Sequence, residues 1–364
     1  MEIYVSLTIF SVVLMLFSLL EEPDRLALEP GGEFNFFMRG VDLVVRSGAA
    51  IVLVAMWFLT AFRGIEIGND TQNYIYYYNV FQQGINPASR FEIGFQVLCY
   101  WLGSFGVGDH GFLVIVATGM YLGLLFQVLV EARNPGVAQL FVLCYFLSPF
   151  MNTLRQGIAT VIVLFAFSML KRQHDYWFIG LVLLAAQFHT TALVVLVLLF
   201  RRIIPIDRNR VLVVAGVIAV LAMSGVLSGV LEGMAGSYAH YFSGRYAEGG
   251  WLAVGMDAAR SLVLFIAISA RGAKGVSRDP LVLMLFASML VVTSLGFAVN
   301  LFTRAAEYFL SISALSFPNH LYEAKDSNRK PWLLLVGTGN VVIFLLVLAL
   351  RPEWNHLYPY VMWR

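Results

Sequence analysis

The chain of 364 residues is 59% hydrophobic and only 13% charged, with a formal net charge of +2. Soluble domains carry about 25% charged residues, so this composition excludes an ordinary soluble protein. A net charge this small gives no reason to expect a nucleic-acid partner. The two cysteines, Cys99 and Cys144, lie in apolar stretches and predict inert buried thiols.

Apolar stretches recur along the whole chain. A helix needs about 20 apolar residues to span a bilayer, and backbone groups in lipid must pair internally. The sequence therefore predicts an all-α, polytopic membrane bundle of about 10–12 transmembrane or re-entrant helices, forming one domain over 1–364. We place the spans at 3–20, 41–62, 92–107, 111–130, 138–151, 155–170, 176–200, 211–231, 251–270, 280–300, 302–317 and 332–350.

Two of these spans have unusual features. Segment 138–151 is too short to cross and ends at Ser148-Pro149, while segment 176–200 carries polar residues around His189. Polar residues at that depth predict a helix that is broken or turns back. Because non-helical backbone in a membrane must be buried in protein or line a cavity, we expect a water-accessible crevice near His189.

Lysine and arginine concentrate in a few loops, and basic loops remain in the cytoplasm. This rule predicts that loops 63–91 and 232–250, the N-terminus and the C-terminal tail face the outside. Segment 92–107 must then be re-entrant or interfacial. The basic loops lie at 171–172, 201–210, 271–278 and 325–330.

Several charged residues lie where lipid is expected. Such a charge costs about 2.5–3.5 kcal/mol on insertion scales and is a candidate for function. Arg155 opens one apolar stretch, Arg304 interrupts another and Glu92 begins a third. With His189, they fall on the predicted outer side, which suggests one polar crevice at 152–156 and 187–191 beside the two outer loops.

Each candidate has an ordinary structural alternative. Arg63 can be an interfacial anchor, and Arg155 can bind the carbonyl groups of Ser148-Pro149. Asp70 has a residue type that suits the N-cap of a following helix. A lone histidine such as His189 is often a satisfied core residue.

Familiar soluble-enzyme motifs are missing from the sequence: there is no Walker loop, GxSxG, HExxH or Cys/His metal spacing. Metal catalysis and a cofactor therefore have no positive support in the sequence, although Asp and Glu residues on the predicted outer side could hold a divalent ion.

Four short motifs stand in order along the chain. They are Arg63…Gly68-x-Asp70-Thr71-x-Asn73-Tyr74, Glu92-x-Gly94-Phe95, Asn152-x-x-Arg155-Gln156 and Phe188-His189-Thr190-Thr191. Together they resemble the EpsG family, bacterial polysaccharide polymerases grouped with the Wzy-type O-antigen and exopolysaccharide polymerases. A weaker likeness continues through Arg304-x-x-x-Tyr308-Phe309, so that the resemblance spans most of 50–310.

The resemblance implies a GT-C-like membrane glycosyltransferase in the bacterial inner membrane, with its site facing the periplasm or outside. Such an enzyme moves a growing glycan from undecaprenyl pyrophosphate to the non-reducing end of another lipid-linked repeat unit. The implied partners are the lipid-linked oligosaccharide, the bilayer and a separate chain-length regulator. No nucleotide sugar is needed, since the sugar–pyrophosphate bond supplies the energy.

The polar residues suit this chemistry. Arginines preorganised in a crevice of low dielectric constant stabilise a departing pyrophosphate. We assign Arg155 to this role first, followed by Arg63 and Arg304.

The attacking hydroxyl also needs a general base. We expect His189 first, and then Asp70 or Glu92. Further side chains are expected to orient sugars or phosphate oxygens. They are Asn73, Tyr74, Asn152, Gln156, Tyr241, Arg245 and Tyr308.

Three other functions fit parts of the sequence. A flippase for lipid-linked oligosaccharide would use the same arginines without chemistry, although the repeated halves typical of transporters are not visible. A membrane acyltransferase that modifies polysaccharide would also use buried His and Arg. In a structural subunit, the polar groups would only hold helices together.

Overall fold

The computed structural model describes residues 1–20, 33–83, 91–234, 251–269, 279–299, 301–323 and 329–363. Within them lie fourteen α-helices, a π-helical segment at Gln127–Glu131 and a long 3-10 helix at Thr190–Arg202. The α-helices are α1 Glu2–Leu20, α2 Glu33–Ala61, α3 Thr71–Gln82, α4 Ile93–Ser104, α5 Asp109–Phe126, α6 Pro135–Asn152, α7 Leu154–Lys171, α8 Asp175–Ala186, α9 Arg208–Met223, α10 Val226–Met234, α11 Trp251–Ser269, α12 Pro280–Leu295, α13 Leu301–Glu323 and α14 Arg329–Leu350.

The helices confirm the predicted polytopic membrane bundle. In the described parts of the chain, seven helices are long and apolar enough to cross a membrane, and strand pairing is limited to one isolated bridge, between Arg63 and Met362. The seven spans are Glu2–Leu19, Gly40–Ala61, Asp109–Glu131, Pro135–Asn152, Leu154–Lys171, Trp251–Ser269 and Lys330–Leu350.

The prediction that segment 138–151 is too short to cross is wrong, because α6 has 18 residues. Its start lies upstream of the apolar run: the Asn134 side chain caps the helix by accepting a hydrogen bond from the Val137 amide, and Pro135 occupies the first turn. Its end passes Pro149, whose carbonyl accepts hydrogen bonds from the Thr153 amide and hydroxyl at 2.7 and 3.0 Å.

The predicted interruption near His189 is confirmed. Helix α8 ends at Ala186, and the next helical segment starts at Thr190 as a 3-10 helix. Two further boundaries differ from prediction. The loop at 63–91, which is predicted to face the outside, contains α3, and the span 211–231 is divided at Gly225, which has a positive φ of 79°.

The chain forms two compact units. The first comprises Met1–Ile162, Leu184–Thr190 and Ser327–Arg364, and the second comprises Val163–Leu183 and Thr191–Asp326. In the first unit α6 is almost wholly buried and packs against α1, α2 and α14. In the second unit α12 packs against α9, α11 and α13. The single transmembrane domain over 1–364 stays a prediction.

The C-terminal tail folds back onto one end of the first unit. The Gly64 amide donates to the Val361 carbonyl at 2.7 Å, and the Trp363 amide donates to the Phe62 carbonyl at 2.9 Å. The Tyr4 hydroxyl donates to the Leu357 carbonyl at 2.8 Å. The start of α1, the end of α2 and the tail therefore share one end of this unit, which we predict to be the outer end.

Cysteine labelling can test this orientation. Glu66 and Arg133 are exposed residues near opposite ends of α6, whose 18 residues extend about 27 Å, close to the hydrocarbon thickness. A membrane-impermeant maleimide should label Glu66→Cys in intact spheroplasts, but Arg133→Cys only after permeabilisation. Cys99 and Cys144 are buried and should stay unlabelled. Tyr358→Cys, in the C-terminal tail, should show the same labelling pattern as Glu66→Cys. The reverse pattern would contradict the predicted orientation.

Candidate functional site

Glu92 connects three segments of the first unit. It immediately precedes α4, and its carboxylate pairs with the guanidinium of Arg155 in the first turn of α7. The other carboxylate oxygen accepts hydrogen bonds from the Thr190 amide at 3.1 Å and the Thr190 hydroxyl at 3.4 Å. The starts of α4, α7 and the 3-10 helix are thus joined through one side chain.

Gly94 lets the start of α4 come close to residues 187–189, which separate α8 from the 3-10 helix and are called the α8 break below. Its amide donates to the Gln187 carbonyl at 2.9 Å. A Cβ atom added at Gly94 would lie 2.7 Å from the Gln187 carbonyl oxygen and 2.8 Å from its Cβ. The Glu92-x-Gly94 motif therefore supplies both a carboxylate and a place where only glycine fits.

Arg155 lies in a mixed aromatic and acidic environment. Its guanidinium carbon lies 4.5 Å from the centre of the Phe91 ring, and its guanidinium donates a hydrogen bond to the Tyr74 hydroxyl. The side chain remains 16% exposed. The carbonyl groups at Ser148 and Pro149 are taken by Asn152 and Thr153 instead, so the alternative that Arg155 binds them is wrong.

The first motif lies against the end of α6. Gly68 has a φ of +85°, and a Cβ there would lie 2.3 Å from the Met151 carbonyl oxygen. The next residue, Asn69, donates its amide to the Asn152 side chain at 2.7 Å and its side chain to the Trp354 carbonyl at 2.6 Å. Loop 63–70 is thus fixed between α6 and the C-terminal tail.

Arg63 is completely buried, so its interpretation as an interfacial anchor is wrong. Its guanidinium donates to the Thr60 carbonyl and, through Nε at 3.3 Å, to the Thr71 hydroxyl. Its Nη2 has no hydrogen-bond partner within the described residues. Burial lowers the pKa of Arg63 to about 10, with partial opposition from the nearby Tyr121 and Tyr360, so it stays charged at neutral pH.

Four helical segments begin in this region. They are α3, α4, α7 and the 3-10 helix, and the hydrogen bonds of Asn69, Glu92 and Thr190 connect their starts. The N-terminal end of a helix carries about half a positive charge. Four such ends together with Arg155 supply donors suited to an anion, and the Glu92 carboxylate now offsets part of their positive charge.

The remaining candidates of this unit lie around these helix starts. His189 is 7% exposed at the α8 break, where its amide donates to the Ala185 carbonyl at 3.0 Å. Asp70 occupies the N-cap position of α3, yet its side chain makes no capping hydrogen bond. Asn73 is exposed, whereas Tyr74 and Gln156 are buried.

The remaining candidates lie in the second unit or outside the described residues. Arg304 and Tyr308 lie on α13 in the second unit, where Arg304 interacts electrostatically with Glu307, and Glu307 with Asp257. The convergence of Arg63, Arg155 and Arg304 in one crevice therefore stays a prediction. Tyr241, Arg245 and most of loop 232–250 lie outside the described residues.

The sequence placed Thr190 in a motif and in the predicted crevice but gave it no role, and the structure shows its amide and hydroxyl bound to Glu92 across 98 positions of sequence. The C-terminal tail was missed as a contributor, and there the Asn355 side chain accepts a hydrogen bond from Asn152 at 3.2 Å. The only available signal was the aromatic and polar composition of the tail after the last apolar span.

Replacing Gly94 with alanine tests the close approach to Gln187. The added methyl must push α4 away from the break, so we expect a loss of about 1–3 kcal/mol in stability, as for other overpacked sites. Gly119 within α5 has open space around its Cβ position and gives the matched control. Thermal unfolding in detergent should show a lower midpoint for Gly94→Ala and an equal or higher one for Gly119→Ala. Equal midpoints for Gly94→Ala and the unsubstituted protein would contradict the tight contact.

Comparison with known proteins agrees with the motifs that form this site. No curated protein and no solved structure matches the chain. The EpsG family matches residues 49–362, which cover most of the sequence and include loop 63–70, the α8 break and the C-terminal tail. The chain therefore belongs to the EpsG family.

Proposed function

We propose that this protein is a Wzy-type polysaccharide polymerase. It transfers a growing glycan from undecaprenyl pyrophosphate to the non-reducing end of another lipid-linked oligosaccharide repeat unit. The site faces the outside of the bacterial inner membrane. Membership of the EpsG family and the polytopic helical bundle support this function. A separate regulator of chain length is a further expected partner.

The observation that carries the proposal is the group of helix starts around Arg155. Pyrophosphate is a concentrated anion, and its charge grows as the sugar departs. Backbone dipoles and a guanidinium that are already oriented stabilise this charge without reorganisation. Arg155 is one-sixth exposed and can reach a ligand, whereas Arg63 is fully buried and acts through the field that it adds. Arg304 is proposed as a third cationic contact.

The chemistry is a displacement at the anomeric carbon. A hydroxyl oxygen of the acceptor sugar forms the new bond to that carbon. The bond from the carbon to the pyrophosphate oxygen breaks, and the electron pair leaves with the lipid pyrophosphate. The hydroxyl proton passes to a base of the protein. Atoms and charges balance in this step without a metal or a nucleotide.

Three side chains are candidates for this base. The Glu92 carboxylate already accepts hydrogen bonds on both oxygens, which argues against it as the base. Asp70 is partly exposed and gives no cap to α3, and His189 lies at the α8 break. We propose His189 or Asp70 as the base, with Asn73, Tyr74, Asn152 and Gln156 orienting the substrate. Tyr241, Arg245 and Tyr308 are proposed as further sugar contacts.

Substitution of Arg155 tests the pyrophosphate role. Arg155→Ala should lower the polymerisation rate by about 10²–10³-fold, the usual effect of removing one preorganised donor. Arg155→Lys keeps the charge that balances Glu92 but loses the planar fork, so it should recover only part of the rate. Polymer length in producing cells and membrane abundance of each variant are the measurements.

The matched control is Arg133→Ala, which removes an exposed arginine near the other end of α6. It should leave polymer length unchanged. Full-length polymer from a normally abundant Arg155→Ala would refute the assignment.

An assay of the purified protein with a lipid-linked repeat unit distinguishes the three candidate functions. Lengthened saccharide supports a polymerase. Relocation of the substrate without lengthening supports a flippase, and new acyl groups support an acyltransferase.

The base can be assigned by comparing Asp70→Asn with His189→Gln. Loss of a general base lowers the rate by about 10²–10⁴-fold. The true base should show this loss in turnover while substrate binding changes little. A loss confined to binding would assign that residue to positioning, and normal turnover in both variants would exclude both as the base.

A further inference from the structure

The groups that donate hydrogen bonds to the Glu92 carboxylate also suit an anionic ligand. One oxygen pairs with the Arg155 guanidinium, and the other accepts from the amide and hydroxyl of Thr190. Thr190 is the first residue of a 13-residue 3-10 helix, so its amide points out of the helix start. A guanidinium and a helix N-terminal amide are the two donors that phosphate groups most often meet in proteins.

The ion pair of Arg155 and Glu92 is partly exposed, so a ligand can compete with Glu92 for Arg155. The side chains of Arg155 and Glu92 remain 16% and 19% exposed. Arg155 also has a buried Nε without a hydrogen-bond partner in the described part of the chain. The guanidinium therefore has a donor that its present contacts leave unused.

A backbone contact holds the segment independently of the carboxylate. The Gly94 amide donates to the Gln187 carbonyl, which keeps the start of α4 beside the α8 break when the Glu92 side chain moves. This contact does not involve the Glu92 side chain, so it remains when the carboxylate leaves Arg155 and Thr190.

We propose that Glu92 occupies the pyrophosphate position and is displaced when the lipid-linked substrate binds. This exchange rests on the proposed function, and it makes Glu92 a positioning residue. The carboxylate keeps Arg155 and Thr190 oriented and neutralised before binding. Pyrophosphate, with more negative charge and more acceptor oxygens than a carboxylate, then takes over the same donors.

Binding of inorganic pyrophosphate to the purified full-length protein tests the exchange. Glu92→Gln removes the competing charge but keeps the side-chain shape, so affinity measured by calorimetry should rise about tenfold. Glu66→Gln, a substitution of an exposed glutamate in loop 63–70, is the matched control and should bind as the unsubstituted protein does. Equal or weaker binding of pyrophosphate by Glu92→Gln overturns the exchange.

A second variant covers the case in which Glu92→Gln does not fold. Glu92→Asp keeps the charge, but its shorter side chain cannot reach Arg155 and Thr190 together, so affinity should rise by a smaller factor. Unchanged or weaker binding by a folded Glu92→Asp overturns the exchange.

Arg155→Lys distinguishes failure of the exchange from failure of the proposed function. It should weaken pyrophosphate binding because the planar fork is lost. If Arg155→Lys weakens binding but Glu92→Gln gives no gain, the exchange fails and the proposed function stands. If Arg155→Lys binds pyrophosphate as well as the unsubstituted protein, both the pyrophosphate site and the exchange are wrong.

Discussion

The contact of Glu92 with Arg155 and Thr190 joins segments that are far apart in sequence. Three helical segments begin at this contact, and Asn69 and Asn152 bring the start of α3 to the same region. The two side chains are partly buried, with 16% and 19% of their surfaces exposed. The pair therefore fixes the geometry of the region, in which Arg155 and the helix starts supply positive charge and Glu92 offsets part of it.

Around this contact, the protein uses buried polar groups to fix irregular backbone. Arg63 is held by Thr60 and Thr71, and loop 63–70 is clamped between α6 and the tail. Buried irregular backbone must find its hydrogen-bond partners within the protein, since water does not reach it. A fixed loop also suits the proposed transfer reaction, because small displacements of catalytic groups are costly.

Much of the fold could be predicted from the sequence, because a helix that crosses a membrane needs a long run of apolar residues. The break near His189 was also visible, because polar residues interrupt an apolar stretch there. The length of α6 was not visible, since its capping Asn134 and its Pro149 both look like helix breakers outside their context. Burial in protein and burial in lipid give the same apolar composition, so the central position of α6 could not be recognised either.

The site was predictable as a set of residues but not as a set of contacts. Arg155, Glu92 and His189 were identifiable because charge and polarity are costly in lipid. The contacts of Glu92 with Arg155 and Thr190 span 63 and 98 positions, which local patterns do not encode. The glycines at 68 and 94 show the same limit, because the need for glycine arises from neighbours that only folding supplies.

A cryo-EM structure of the protein bound to a non-hydrolysable undecaprenyl-pyrophosphate oligosaccharide analogue tests the central claim most directly. We expect the pyrophosphate to lie within hydrogen-bonding distance of Arg155 and of the Thr190 amide, with the sugar near Asp70 and His189. Pyrophosphate held away from these helix starts, with Arg155 distant from the bound lipid, would contradict the proposed site.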